Sequence, residues 1–578
     1  MPGFFSLEAA KEGLAVRPTI EGCIQEGRAQ HEAECSATGL GHIPYEADTL
    51  WHKVDHLLYL PILGLTRPRD LYYYQGQGMQ VLYGFTYKYL TLEHFLGQLR
   101  RLQVGNCLAD RLAYLYAQAW YPGQTPLYLY GDWHVKPHWS KQDSHSGHVT
   151  MWGRLMPGTK QLLLSGPDGY LLGGWNYPID THFSQLLGQM EVKLSQKLAR
   201  PILCTIVDSE GNGQRIAQQY AAHDGHYISI LPRHQNHCLA AFTRLDHWQP
   251  VVDDDGHEAV WAEWADVNKA ARDPRRFVLM RPVDRQEPTR IYAGLIPETL
   301  PAALVPWLHR RRWANNELRI RELIAGANLN ANYGYTYTET PQRSRQREWQ
   351  TAQAKVEVTQ RQLDRRQEAI GNLRQQVATL QQHIAQSQDE QTQTIVQLRQ
   401  EHRQRQRRGQ PLTRSAQHLN RQRQQQQEET ARFQKRQGRL LRQLQQHQTS
   451  RGQLQRELAA RETARDAIDT VTLCRERELE KDQLMLDFQV LLANLHDWAR
   501  THYFAPQWQR LTLEKATQLI YRKSGQVAWH EDRIEVLLDP YRYQEHQRAM
   551  EHTCQRFNQA NLRWRDGRRL IILVRQPP

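Results

Sequence analysis

The chain has 578 residues, seven of them cysteine, and carries a formal charge of +13 with an isoelectric point near 9.3. That length allows roughly two to four domains and at least one sizeable core, and the basic balance points to a polyanion or an anionic surface as partner. The cysteines, scattered at 23, 35, 107, 204, 238, 474 and 554 with no CxxC pair, argue against a disulfide framework and a zinc knuckle and favour a reduced, intracellular setting; no basic flank precedes an apolar run at the start and nowhere are there about 18 consecutive apolar residues, so neither a secretory leader nor a membrane span is expected.

Up to about residue 125 the pattern is helical, with apolar residues at three and four spacing in Leu50 to Leu63, Met79 to Tyr89 and Leu92 to Leu102. Tyr72, Tyr73, Tyr74, Tyr83, Tyr87 and Tyr89 are interleaved with Lys88, Arg100, Arg101 and Arg111. Such a set can stack on nucleic acid, although at helical spacing a packed core with a solvated basic face is the commoner outcome. This stretch, 1–125, is read as an N-terminal helical domain.

The texture changes at Pro126. Leu127-Tyr128-Leu129-Tyr130 is strand-like and stops at Gly131-Asp132; strand candidates follow over Gly147 to Leu155 and Gln161 to Ser165, separated by Pro157-Gly158-Thr159. A helix over Phe183 to Leu198 precedes the β-branched run Pro201 to Val207, which ends in Asp208 and a Gly/Asn turn; a helix over Gln214 to Ala222 and a strand over Tyr227 to Leu231 come next. Alone, Asp208 reads best as a cap for the helix starting near Gly213. A second acid ending another strand, Asp132, shifts the reading toward chemistry at the carboxyl edge of a sheet. The roughly 70 residues from that last strand to a helix over Pro301 to Ile324 exceed an ordinary loop and read as a β-rich insertion at about 233–299. Its strand-like pieces are Ala259 to Trp264, Phe277 to Met280 and Arg290 to Leu295.

From about Thr340 the composition turns to Gln, Arg and Glu. Leu363, Ile370, Val377 and Ile384 recur every seven residues, with Leu373 and Leu380 completing an a/d seam that fails around Ser387 to Thr394. A break rich in Arg and Gln at Arg403 to Pro411 separates this arm from a second, Leu440 to Leu458, so 341–483 is read as a basic coiled coil, an antiparallel hairpin or a parallel dimer stalk. The tail, 484–578, is read as a small α/β module: helices over Leu484 to Trp498 and Leu511 to Tyr521, strands over Gly525 to Trp529 and Arg533 to Leu538, helix Tyr543 to Asn558 and strand Arg569 to Val574.

Three strands, a helix, a strand, a helix and a strand is an order that resembles ribonuclease-H-like domains. More specifically, the chain resembles bacterial insertion-sequence transposases of the DDE type with a β insertion in the core. The similarity lies in Tyr130-Gly131-Asp132-Trp133-His134-Val135-Lys136-Pro137, in Ile206-Val207-Asp208, in Arg312-Trp313 before an acid-bearing helix, in Asn328-Leu329-Asn330-Ala331-Asn332-Tyr333, and in the basic coiled coil with its small C-terminal domain. It covers the chain from about residue 50 onward, and its specificity comes from the order and spacing of short motifs.

The resemblance implies an α/β protein with a ribonuclease-H-like core over 126–340, and catalytic, metal-holding acids at Asp132, Asp208 and a third position. The family pattern puts that acid four residues after the Arg, where this chain has Asn316, with Glu317 next to it. One residue turns a helical side chain by about 100°. Either the helix register adjusts so that Glu317 completes the site, or the alignment slips by one, or the enzyme is impaired; Glu317 is the expected acid and Glu322 the weaker substitute.

Such acids suit phosphodiester cleavage and strand transfer, an in-line displacement in which two divalent ions about 4 Å apart stabilise the attacking and leaving oxygens. Mg²⁺, or Mn²⁺ in its place, takes oxygen ligands: Asp132 as the bridging ligand, Asp208 on one ion and Glu317 on the other. His134, His138, His145 and His148 lack Cys partners, and Pro137 breaks the helix that would align the first two, so surface or DNA-contacting histidines are expected rather than zinc. Arg310, Arg311, Arg312 and Trp313, with Lys136, are the expected DNA contacts. The reading is a DNA transposase acting as a homodimer on double-stranded DNA in the bacterial cytoplasm at the nucleoid. The alternatives are a nuclease on the same core and a catalytically impaired DNA-binding or coiled-coil assembly protein.

Overall fold

A computed structural model of the chain describes residues 4–38, 49–74, 80, 85–123, 125–139, 144–198, 200–232, 247–252, 258–264, 275–284, 290–334, 336–409, 413–564 and 566–577. The chain is mixed α/β and divides into two units, Met1–Thr338 with Arg475–Pro578, and Glu339–Cys474. Among the described residues no helix is long and apolar enough to cross a membrane.

In the larger unit the three-and-four periodicity folds as α1 (Phe5–Gly13), α2 (Val16–Thr38), α3 (Leu50–Leu58), α4 (Tyr89–Arg101) and α5 (Val104–Trp120). Of the helix expected over 79–89, residues 79 and 81–84 lie outside the described residues, and 85–88 are not helical. Next come β1 (Leu127–Pro137), β2 (Ser146–Val149), β3 (Arg154–Ser165), β4 (Leu171–Pro178), α6 (Phe183–Leu198), β5 (Ile202–Ile206), α7 (Gln214–Ala221) and β6 (Tyr227–Ile230). The strands β7 (Gln249–Val252), β8 (Glu258–Trp264), β9 (Arg276–Pro282) and β10 (Arg290–Gly294) follow, and then α8 (Leu304–Arg312), a π-helical turn at Trp313–Glu317 and α9 (Leu318–Ala327).

One mixed sheet runs β2-β3-β1-β5-β6-β10-β9-β8-β7, with β4 also paired to β3. β1, β3 and β4 are antiparallel neighbours, whereas β1, β5 and β6 run parallel, and β10 joins β6 antiparallel. Three strand expectations change. β1 continues past Asp132 because its ladder with β3 persists to Pro137 opposite Gly158. Pro157-Gly158-Thr159 is not a turn but lies within β3, which swings from pairing β2 to pairing β1. β4, rich in Gly and aromatic residues rather than alternating, was not expected at all.

The smaller unit is a helical hairpin. α10 (Arg343–Arg407) and α11 (Thr413–Asp466) run antiparallel, since Arg461 and Arg465 near the end of α11 bond to Thr359 and Gln353 near the start of α10. Leu363, Ile370, Val377 and Leu380 are the buried seam. Where the heptads fail the helix still continues, and Gln391 Nε2 donates to Gln426 O and Thr430 Oγ1 at 3.0 and 2.9 Å. The apolar seam therefore gives way to a polar one that still fixes register. The strands β11 (Tyr337–Pro341) and β12 (Leu473–Arg477) pair with each other where the chain passes between units.

α12 (Glu480–His502) returns to the larger unit and is buried along almost its whole length. It packs on α1, α3, α4, α5, α9 and β4, and its Leu, Met, Phe and Val side chains belong to the same core as those of the N-terminal helices and the sheet. Its long amides are matched: Gln483 Nε2 donates to Gly174 O, Gln489 Nε2 to Asn328 O and Asn494 Nδ2 to Leu171 O. β13 (Gly525–Trp529), β14 (Arg533–Leu538), α13 (Gln544–Gln559) and β15 (Arg569–Val574) complete the tail. The segments expected as N-terminal domain, core and C-terminal module thus share one core.

Leu491, fully buried on α12, leaves a cavity when cut to Ala, so Leu491→Ala is expected to lower unfolding free energy by about 2–5 kcal/mol, read by urea denaturation followed by tryptophan fluorescence.

Candidate functional site

The register of the parallel strands sets the first two acids side by side. Tyr130 on β1 is opposite Ile206 on β5, and Asp132 and Asp208 each lie two residues farther on. Adjacent strands are about 4.8 Å apart, so the two carboxylates leave the sheet at one level. Asp208 Oδ1 accepts from Glu210 N at 3.0 Å, capping the short turn Ser209–Gly211, while Ser229 Oγ donates to the Asp208 carbonyl at 2.5 Å. The capping role does exist, but for this turn rather than for α7, and it orients the carboxylate.

The third acid arrives through the π-helical turn. Asn316 is fully buried and its Nδ2 donates to Tyr130 O at 2.6 Å and Leu163 O at 3.0 Å, carbonyls of β1 and β3. Asn315 Nδ2 donates to Pro167 O at 2.6 Å in the β3–β4 turn. That turn needs Gly169, whose φ is +81° and whose added Cβ would lie 3.1 Å from Asn315 Cα. Pinned at three carbonyls, the helix takes one extra residue between Trp313 and Glu317. A π-bulge shifts the helical phase by one residue, which offsets a step of about 100°, and Glu317 at the end of the turn meets Arg312. A locally shifted helix register, one of the three alternatives for the Asn316-Glu317 step, is thus present at Trp313–Glu317.

Arg312 joins the acids. Its Nη1 donates to Asp132 Oδ2 at 2.6 Å and its Nη2 to Glu317 Oε1 at 2.5 Å. Asp132 also accepts from Trp133 N at 2.8 Å. Burial pushes the Asp132 carboxyl up to about 7; Arg312 opposes the rise, and Asp208 and Glu317 reinforce it by repulsion. Burial likewise raises Asp208, against the pull of Arg312. His309, one turn before Arg312, is held neutral, pushed down to about 3 by burial and by the Arg312 charge. Arg312 Nε and His309 Nε2 are buried without a hydrogen-bond partner among the described residues.

The other expected residues separate into groups. Arg311 stacks on Trp307 at 4.7 Å and Trp313 carries Arg321 at 4.7 Å. Both rings are half exposed on the stretch that bears Arg310 and Arg312. Lys136 is a correction: it is 1 % exposed, pairs with Asp482 at 2.7 Å and donates to Ala331 O, so it has no face for DNA. A β1 residue on the core side was taken for a surface cation. Glu322 is no substitute acid either, because it pairs with Arg319 and accepts from Leu513 N at 2.8 Å, away from the site. The histidines differ from expectation as well. His134, His138 and His145 are buried, with His134 bonded to Asn330 at 2.8 Å and His138 to Arg477 at 2.9 Å, and only His148 is exposed.

Sequence reasoning missed Asn315 and Asn316 as anchors, and the pair Lys160 and Glu210, 3.0 Å apart beside Asp208. Consecutive Asn residues inside a helical stretch were the available signal, since Asn is unfavourable in a helix interior unless its side chain finds a hydrogen-bond partner.

The three carboxylates offer hard oxygen donors suited to Mg²⁺ or Mn²⁺. As placed, Arg312 binds two of the three, and among the described residues no three His, Cys, Asp or Glu side chains stand close enough to hold a metal ion. No model of a known protein family matches the chain, and no curated protein matches it either.

Two outcomes follow from this geometry. Asn316→Asp places a carboxylate against two carbonyl oxygens and removes both donated bonds, so a loss of about 3 kcal/mol in urea unfolding is expected. Glu191 on α6 accepts from Thr205 Oγ1 of β5 at 2.7 Å and burial raises it to about 7. The folded chain therefore holds a proton that the unfolded chain releases above its ordinary value of 4.5. The resulting stability is complete below about 4.5 and is lost as pH rises through 7. Unfolding free energy measured against pH should fall across that window in the native chain, and the fall should be reduced in Glu191→Gln.

Proposed function

We propose that the protein is a DNA transposase of the DDE type, cleaving phosphodiesters at the ends of a mobile element and joining the freed 3′ ends to target DNA. The observation that carries the reading is the gathering of Asp132, Asp208 and Glu317 around Arg312 by a bulged helix anchored on the two strands beside them. The sheet order β4-β3-β1-β5-β6, three antiparallel strands followed by parallel ones, supports a ribonuclease-H-like core, with β7–β10 as its insertion.

Asp132, Asp208 and Glu317 would hold Mg²⁺ ions, which stabilise the charge on attacking and leaving oxygens. Arg312, bonded to Asp132 and Glu317, keeps an unpartnered Nε and would bind the phosphate flanking the cut. Arg310, Arg311 and Trp313 extend that contact along the backbone, and the basic coiled coil adds charge for duplex DNA. The protein would act as a homodimer on DNA in the cytoplasm, near the nucleoid.

A second reading, a DNA-binding protein without catalytic activity, is favoured by one observation: two of the three acids are already paired with Arg312.

The deciding experiment incubates the purified chain with DNA carrying the terminal sequences that flank its gene, a target plasmid and Mg²⁺ or Mn²⁺. Joined product is expected, reduced by on the order of 10²–10³-fold in Asp132→Asn, Asp208→Asn and Glu317→Gln. Cleavage without joining replaces the transposase reading with that of a nuclease; binding with neither product establishes the second reading.

A further inference from the structure

α2 and α5 pack side by side in the larger unit, and each contributes one cysteine to a contact. Cys23 is fully buried, Cys107 is partly exposed, and their sulfurs lie 3.2 Å apart although the residues are 84 positions apart in sequence. A disulfide bond is about 2.05 Å long, so closing the pair takes a movement of about 1 Å. The other described cysteines, Cys35, Cys204, Cys474 and Cys554, are all buried.

The surroundings of Cys107 favour reactivity. It lines a cavity of about 770 Å³ with Glu26, Asp110, Arg111, Tyr114 and Lys197. Arg111 pairs with Glu26 and Lys197 with Asp110 at its wall, which keeps two cations beside the thiol. Contact with Cys23 is the main cause that lowers the Cys107 thiol from its ordinary value, with Arg111 adding to it against burial and the Glu26 carboxylate, which accepts from the thiol at 3.6 Å; the same contact and burial raise Cys23. Cys107, open to the cavity, is the sulfur placed to attack, and buried Cys23 beside it the one placed to resolve.

We infer that Cys23 and Cys107 are a redox modification site, closing to a reversible disulfide when a hydroperoxide enters the cavity and meets Cys107. The Cys107 thiolate attacks one peroxide oxygen and the O–O bond breaks. With hydrogen peroxide, the departing hydroxide takes up a proton to become water and Cys107 becomes a sulfenic acid. The Cys23 sulfur then attacks the sulfenic sulfur, the S–S bond forms, and the Cys23 proton leaves with the displaced hydroxyl as a second water. Two thiols lose two electrons and the peroxide gains them. A dithiol reverses the bond by exchange. The link ties α2 to α5, the helix that packs on β4 and α12; it does not depend on the catalytic reading.

The test treats the full chain with hydrogen peroxide, alkylates the remaining thiols and maps digested peptides by mass. The expected product is a joined pair of peptides bearing Cys23 and Cys107, lighter by about 2 Da than their reduced sum, absent after dithiothreitol, with the buried cysteines still free to alkylate once the chain is denatured. Cys23→Ser should leave a sulfenic acid at Cys107 that dimedone traps, and Cys107→Ser should remove both products. Oxidation of Cys107 to sulfinic acid without the link, a link between other cysteines, or a native chain whose Cys107 survives peroxide unchanged would each overturn the inference, and these readouts on the native chain stand even where a variant fails to fold.

Discussion

Lys136 and Asp482 form an ion pair with essentially no exposed surface, and the larger unit is arranged around it. It joins β1, the strand that presents Asp132, to α12, the helix that α1, α3, α4, α5, α9 and β4 all touch. Arg477 closes the other oxygen of Asp482 at 2.9 Å, and Tyr333 N donates to Asp482 Oδ1 at 3.1 Å. A buried carboxylate is tolerated only when its lone pairs are filled in this way, and removing one partner commonly costs about 3–5 kcal/mol. The Asn328 to Tyr333 segment, the start of α12 and the far half of β1 are consequently held in one polar knot inside an apolar core.

The opposite half of β1 carries a second polar cluster, less deeply buried. At the Asp132 end three carboxylates and a guanidinium share a half-buried space, an arrangement that repels itself except where Arg312 intervenes. The repulsion is held in place by Asn315 and Asn316, which fasten the bulged helix to carbonyls of the sheet and of the β3–β4 turn. A Glu at position 316 would accept, not donate, and could not make those bonds. Asn316 therefore anchors the helix, and Glu317 follows it at the end of a turn lengthened by one residue.

The two units solve the burial problem differently. The hairpin buries a narrow seam and, where its heptads fail, substitutes Gln and Thr bonds for apolar contact, so its long polar faces stay in solvent. The larger unit buries a helix on all sides and must satisfy every polar group along it. A mutation at a single polar position of α12 therefore disturbs layers that are hundreds of residues apart in sequence.

Periodicity by itself determined most of the helices, the strands β1, β5, β6 and β8–β10, the a/d seam from Leu363 to Leu380, and the order in which two acids close two strands. These are local properties, set by the repeat of apolar residues along the chain. The sequence did not disclose β4, the continuation of β3 through Pro157 and Gly158, the burial of Lys136 and His138, or the merging of the first and last segments into one core. Each depends on which surfaces meet. The choice between Asn316 and Glu317 belongs to the same class: one helical residue separates a carboxylate in the site from one outside it, and that residue was supplied by hydrogen bonds to strands about 150 to 190 positions earlier, which only the tertiary structure brings within reach.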